Sequence, residues 1–291
     1  MRTGNHEIIV NYLNQTRGFD FSGCRTSMIA RRVNQRVSFT KCKDFREYFH
    51  YLKKYPEELE NLIDVLTINV SCFFRDTLAF EYIAKKVLPT IISQKKRSSD
   101  NSLRVWSAGC SMGEEPYSVA ILINELFKKE KLNFDVNIFA TDIDGKALRK
   151  AQKAVYPIQS IENVKYRLLK KYFVSKKQSF QLISEIRNLV SFTVYDMLDK
   201  RNYAPPESVF GGFDIVFCRN VLIYFNAKYQ NLIFDKLYRS LTVDGYLVLG
   251  KVEIPPADYK SRFRRVNNCC HIYQKRSDGR MTGFNESRME R

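Results

Sequence analysis

The chain has 291 residues, which is room for about two domains of ordinary size and enough to bury a core without disulfide or metal staples. Hydrophobic residues at 44% and charged residues at 27% exclude a wholly disordered chain, and 12 Gly with 8 Pro exclude a collagen-like or low-complexity one. The formal charge is +17, from 48 Lys and Arg against 31 Asp and Glu, which points to an acidic partner, nucleic acid or an anionic surface without choosing among them.

Read from the start, Met1 to Asp20 holds only the short apolar run Ile8-Ile9-Val10 and lacks the core of a secretory signal. No uncharged apolar run reaches the roughly 18 residues of a membrane span. The expectation is a cytoplasmic protein with no membrane insertion. Four apolar stripes at helical spacing follow, within His6–Asn14, Ser27–Val37, Phe45–Leu52 and Leu59–Leu66, and predict a small helical domain. Arg25, Arg31, Arg32 and Arg36 are expected to project together from the second helix. From Leu103 the pattern changes. Strands are predicted at Leu103–Ser107, Asn137–Thr141, Asp214–Cys218 and Tyr246–Gly250, with helices at Glu114–Phe127, Asp144–Ala154 and Ala227–Leu241. Alternating strands and helices predict an α/β fold, a parallel doubly wound sheet with helices on both faces. Tyr156–Ser191 breaks the alternation. It reads as an insertion carrying a small antiparallel piece, with extra strands at Phe180–Ile183 and Leu189–Val194. Positive charge gathers in two places, +7 over residues 1–54 and +8 over residues 149–188. The domains expected are 1–73, 74–276 with an insertion near 156–191, and a disordered polar tail at 277–291. The seven cysteines are scattered with no C-x-x-C pair, so neither a disulfide framework nor a metal site is expected.

Four segments carry chemistry. Val105-Trp106-Ser107-Ala108-Gly109-Cys110-Ser111-Met112-Gly113-Glu114-Glu115-Pro116-Tyr117-Ser118 reads as strand, glycine turn and helix. Such a turn sits where open α/β sheets bind ligands. Two carboxylates at the helix start disfavour phosphate and suit a ligand bearing a cation, although they also serve as simple helix-start acids. Ile138-Phe139-Ala140-Thr141-Asp142-Ile143-Asp144 is a strand ending in acid. Asp142 is placed to accept the hydroxyls of a ribose, and Asp144 fits the N-cap of the next helix better. Together these two segments specify a nucleoside cofactor and leave NAD, FAD and S-adenosylmethionine open. Phe213–Phe225 runs a buried strand into Arg219-Asn220, with Tyr224 five residues beyond the arginine. Thr67–Asp76 alternates polar Asn69, Ser71 and Arg75 with apolar residues just before the α/β part.

In this order, Phe73-Phe74-Arg75, the Trp106–Ser118 segment and Cys218-Arg219-Asn220-Val221-Leu222-Ile223-Tyr224-Phe225 resemble the chemotaxis receptor glutamate methyltransferases of the CheR type, from about Gly18 to Lys275. The resemblance implies a Rossmann-like class I methyltransferase domain after a small all-helical one. It also implies S-adenosyl-L-methionine as cofactor, S-adenosyl-L-homocysteine as product, and glutamates in the cytoplasmic helical region of chemoreceptors as substrate. Carried over by position, Asn69, Ser71, Arg75, Glu115, Asp142, Asp196, Met197, Cys218 and Arg219 match cofactor contacts. Arg75, Arg219 and Tyr224 match the residues facing the transferred methyl. The basic insertion resembles the subdomain that docks receptor in some members. Two departures stand out. Gly250-Lys251-Val252-Glu253 replaces the frequent Gly-His-Ser-Glu, and Asp196 stands where an amide is common.

The implied chemistry suits the residues. A glutamate carboxylate, with an ordinary pKa of about 4.3, is already ionised at neutral pH and needs no general base. It needs alignment, which Arg75 and Arg219 can supply by charge-assisted hydrogen bonds. A nucleic-acid methyltransferase is the rival suggested by charge, but there is no Asn/Asp-Pro-Pro-Tyr and no Pro-Cys nucleophile. A non-catalytic adaptor on the same fold is opposed by the presence of Arg75, Arg219 and Tyr224. No nucleic-acid partner is expected, and a monomer is.

Overall fold

The structure, a computed structural model, describes residues 5–19, 21–67, 71–199, 201–208 and 212–276. The tail expected beyond 276 and the candidate Asn69 lie outside them.

Helices α1 (Asn5–Arg17), α2 (Thr26–Phe39), α3 (Phe45–Lys54) and α4 (Pro56–Thr67) pack their predicted stripes into one core of Ile9, Leu13, Ile29, Val33, Leu52, Leu62 and neighbours. Asp44 caps α3 by accepting the Glu47 N–H at 2.9 Å, and Pro56 opens α4, where the missing N–H is harmless. The expected four-arginine face does not form. Arg36 is buried and turned inward, its Nε 2.9 Å from Glu58 Oε1, and the Tyr48 hydroxyl donates to the same oxygen at 2.9 Å. A buried glutamate needs that pairing, and helical spacing alone could not show which arginine supplies it. Arg32 is half-buried, with Nη1 donating to the Val65 carbonyl, and Arg31 is exposed.

Residues 77–97, unassigned from the sequence, form α5 (Thr77–Tyr82), a π-helical turn at Ile83–Val87 and α6 (Leu88–Arg97) in one run. The wider turn shifts the apolar stripe from Phe80 and Ile83 to Val87, Leu88 and Ile91, which blurs the 3.6-residue period.

The α/β part follows in chain order as β1 (Ser102–Ala108), α7 (Glu114–Glu130), β2 (Asp135–Asp142), α8 (Gly145–Lys153), β3 (Val155–Pro157), α9 (Ile158–Ile161) and α10 (Tyr166–Tyr172). Next come β4 (Phe173–Lys176), β5 (Ser179–Leu182), α11 (Ser184–Arg187), β6 (Val190–Val194), β7 (Phe213–Cys218), α12 (Ala227–Ser240), β8 (Leu241–Leu249), β9 (Phe263–Arg265) and β10 (Ile272–Lys275). The main sheet has the order β6-β2-β1-β7-β8-β10-β9. Its first five strands are parallel, and β10 and β9 close one edge antiparallel. Alternate residues of β1 serve two cores, Val105 on one face and Trp106 on the other.

The insertion differs from its expectation in one element. The strand expected at Leu189–Val194 belongs to the main sheet as β6, pairing Ile138 with Val190 through Asp142 with Val194. The small antiparallel sheet is β3-β5-β4. A short half-exposed strand carries no mark in sequence of which sheet edge it will join.

Order reverses at β1, with β2 on one side and β7 on the other. The crevice outside the carboxyl ends of these strands is where doubly wound sheets bind ligands. The helical domain covers it. The Arg25 N–H donates to the Tyr224 carbonyl at 2.8 Å, and the Asn226 N–H to that of Gly23 at 3.1 Å. These bonds frame a β-bridge between Cys24 and Phe225. Lys146 of α8 reaches Glu60 of α4 at 2.6 Å, and the Thr67 hydroxyl lies 3.3 Å from Asp144 Oδ2. Among the described residues, no helix is long and apolar enough to cross a membrane.

Candidate functional site

The cleft encloses about 1110 Å³, including space open to solvent at its mouth. Its floor starts at the turn after β1. Gly109 has φ +73°, and a Cβ there would come within 2.4 Å of Val221 Cγ2, so the backbone passes as closely as only glycine allows. The N–H groups of Gly109 and Cys110 both donate to the Thr141 carbonyl. Ser111 donates its N–H to Asp142 Oδ2 at 2.8 Å, and the other oxygen takes the Asp144 N–H at 3.0 Å. Asp142 thus ties the glycine turn to the tip of β2 while lining the cleft. Asp144 caps α8 through the N–H groups of Lys146 and Ala147, as its position in the sequence predicts.

The two carboxylates that open α7 part company. Glu114 is buried beside the Ser160 hydroxyl, away from the cleft. Glu115 faces the cleft, takes a hydrogen bond from the Ser107 hydroxyl at 2.7 Å and meets Arg219 Nη1 at 3.1 Å. Burial pushes the Glu115 carboxyl above its ordinary range even against the pull of Arg219. Burial likewise raises Asp142, against the backbone N–H bonds it accepts.

Arg219 is turned into the protein at the tip of β7. Its side chain is 3% exposed. Besides Glu115 it donates to the Arg75 carbonyl at 2.7 Å, lies 3.8 Å from Asp76, and stacks its guanidinium 5.4 Å from the Phe80 ring centre. Burial is the physical reason: an arginine at a strand tip beneath a covering domain is held only when its charge is paired. Arg75 also lines the cleft. It is bracketed by Phe74 at φ +52° and Asp76 at φ +69°. Two non-glycine residues in the left-handed region are costly and persist where the surroundings fix them. Here Phe73 is clamped between the rings of Tyr156 and Phe173, and the Phe74 N–H donates to the Ser118 hydroxyl at 2.9 Å. Tyr224 completes this wall. Burial raises its hydroxyl pKa while nearby Arg32 and Arg75 pull it down, and the net direction is up.

Beyond β6, the Tyr195 N–H donates to the Asp142 carbonyl and Asp196 Oδ1 accepts the Leu198 N–H at 2.8 Å. Tyr195, Asp196, Met197 and Leu198 all line the cleft, as does Ser71. Cys218 does not. Its thiol is fully buried in the core beneath, where desolvation pushes its pKa well up. The sequence missed the roof: Phe21, Cys24, Met28, Leu66 and Thr67 of the helical domain line the same cleft. Their spacing marks them only as ordinary helix and loop residues.

The chain matches the family models for the all-alpha domain of CheR methyltransferases over residues 6–67 and for their SAM-binding domain over residues 69–269. It is similar to a chemotaxis protein methyltransferase of Borreliella burgdorferi, at 32% identity over 84% of this chain and 89% of that one. It is also similar to chemotaxis protein methyltransferase 2 of Vibrio cholerae, at 32% identity over 94% of each chain. Chemotaxis protein methyltransferase 1 of Pseudomonas aeruginosa is 33% identical over 85% of this chain and 89% of its own.

Proposed function

The chain belongs to the CheR chemotaxis methyltransferase family and uses S-adenosylmethionine, and on that premise we propose that it esterifies glutamate side chains in the cytoplasmic helical region of chemoreceptors, working in the cytoplasm. One observation carries the reading: acidic and cationic groups line the same cleft and meet where Arg219 pairs with Glu115. Glu115, Asp142 and Asp196 line it together with Arg75, Arg219 and Tyr224.

The acidic groups fit the cofactor. When bound, S-adenosylmethionine supplies a methyl group on a positively charged sulfur. Asp142 spends one backbone bond on each oxygen and keeps lone pairs for ribose hydroxyls. Asp196 and Met197 would flank the base, and Ser71 and Glu115 would complete the cofactor side. Asn69 keeps its place in this set from the sequence alone. Arg219 opposes the burial-driven rise of the Glu115 carboxyl and holds it in place. Arg75 and Tyr224 suit an anionic acceptor. Arg75 draws the incoming carboxylate by charge-assisted hydrogen bonding. Tyr224, whose raised pKa keeps its hydroxyl protonated, donates to the second oxygen. The attacking oxygen needs no base, because a carboxylate is ionised at neutral pH. Arg219 contributes by pinning the Arg75 carbonyl, which makes it a positioning group as much as a contact. Catalysis is then mainly alignment of reacting atoms.

The docking surface proposed for the receptor includes exposed Arg31, with attraction to its glutamates screened by salt. The test is incubation with radiolabelled S-adenosylmethionine and membranes containing chemoreceptors. Base-labile label on a receptor-sized band is expected. Base-stable label, or label in RNA, would overturn the reading.

A further inference from the structure

The loop after β7 carries Arg219, Val221 and Tyr224 to the cleft and holds Asn220 at φ +60°, in the left-handed region. Its N–H groups converge on one buried carboxylate 33 residues away in sequence from Asn220. Glu253 Oε2 accepts the Asn220 N–H at 2.7 Å and the Gly250 N–H at 2.8 Å. Its Oε1 accepts the Val221 N–H at 2.9 Å and that of Ile223 at 3.4 Å. Glu253 is 4% exposed. The approach is so close that a Cβ at Gly250 would lie 2.7 Å from Glu253 Oε2 and 2.9 Å from the Asn220 nitrogen. The glutamate is itself held: its N–H donates to the Gly250 carbonyl at 3.0 Å, and the His271 ring nitrogen Nδ1 lies 2.5 Å from its carbonyl oxygen.

A carboxylate that takes several backbone N–H bonds makes strong, charge-assisted contacts. It also satisfies the N–H groups that lead into the single 3-10 turn at Leu222–Tyr224 and have no partner within it. The consequence reaches the floor, because Val221 is the residue pressed against Gly109. We propose that Glu253 is a positioning residue for methyl transfer, clamping residues 220–223 so that Arg219 and Tyr224 stand at fixed places beside the glycine turn. The inference rests on the methyltransferase reading above. It accounts for the glutamate of the Gly250-Lys251-Val252-Glu253 segment, whose two middle residues depart from the family pattern while its ends do not. Both ends meet in the clamp: Gly250 supplies room and one donor, and Glu253 supplies the acceptors.

An isosteric amide tests this directly. Glu253→Gln keeps the volume but turns one of the two oxygens into an NH₂ that faces N–H donors, so two of four bonds are lost. Glu253→Ala removes all four and leaves a cavity of about the size of acetate. Wild-type turnover on receptor membranes is measured first; its absence would count against the methyltransferase reading and not against the clamp, which amide hydrogen exchange at Asn220 and Val221 reads separately. The expected result for Glu253→Gln is faster exchange at those amides, kcat down by at least about tenfold, and KM for receptor and cofactor affinity changed by less than about threefold. Misplacing reacting groups by an ångström costs about 100-fold, the scale expected for Glu253→Ala, with partial recovery in added acetate. Wild-type kcat in Glu253→Gln would overturn the proposal. So would activity that falls only in proportion to the folded fraction, failure of Glu253→Gln to fold, or loss seen equally in KM and kcat.

Discussion

The floor of the cleft and its roof are held together by different means. On the floor, Gly109, Ser111 and Asp142 sit at strand tips and Glu115 in the first turn of α7, and each is tied to its neighbours by hydrogen bonds of 2.7–3.1 Å. The roof comes from a separate helical core. It reaches the cleft through a short strap, residues 23–25, and through exposed ion pairs such as Lys146 with Glu60. The difference teaches that the floor is held by the α/β part itself, whereas cover over the cleft depends on contacts between two bodies. Substitutions on the floor should therefore change chemistry, and substitutions in the Lys146 ion pairs between the bodies should change little besides stability.

The largest effect is expected at Arg219. Replacement by alanine removes the partner of Glu115 and the donor to the Arg75 carbonyl. Single-turnover methylation should slow by roughly 10- to 1000-fold, with a smaller loss of cofactor affinity by calorimetry. Turnover near wild type in a folded protein would assign the substrate carboxylate to Arg75 alone. Asp142→Ala comes next. It should weaken cofactor binding by about 1–3 kcal/mol, the range for hydrogen bonds to a charged group; unchanged affinity would take Asp142 out of the site.

Acid sharpens the contrast. Burial raises the carboxyl pKa of both Glu115 and Asp142. A bound cation near Glu115 and ribose hydroxyls at Asp142 favour the ionised forms, so binding should release protons where these groups are partly protonated. Affinity should then fall as pH drops through the raised values, approaching about tenfold per pH unit for each group. For folding the sign is opposite. A carboxyl whose folded pKa is raised disfavours the folded state above its unfolded pKa, and that cost disappears as pH falls. Calorimetry in buffers of different ionisation enthalpy reads the proton release directly; none would mean that neither carboxylate meets the cofactor. The smallest effect belongs to the ion pairs between the two bodies. Lys146→Ala breaks pairs with Glu60 and Asp64 whose side chains are 34% and 51% exposed. Urea denaturation should register about 0–1 kcal/mol, with cofactor affinity unmoved.

What was legible in the sequence follows the same division. Strand, glycine turn and helix around Gly109, and an acid at the tip of the next strand, are local patterns, and the structure brings their residues to one cleft. Asp144 as helix cap was readable for the same reason. Contacts made at long range were not. Arg36 has the spacing of an exposed face yet pairs inside with Glu58. The strand at Val190–Val194 was visible, but not that it extends the parallel sheet beside β2. Arg219 was found by its motif, while its inward pairing with a glutamate 104 positions earlier was not. The π turn in residues 83–87 hid a helix by shifting its phase.

The bridge between Cys24 and Phe225 ties the helical domain to the loop that carries Tyr224. Strap and tyrosine loop share backbone bonds on both sides of that bridge, Arg25 to Tyr224 and Asn226 to Gly23. Displacing the strap would break those bonds and so disturb the loop that carries Tyr224, because the two segments are joined through the same peptide groups.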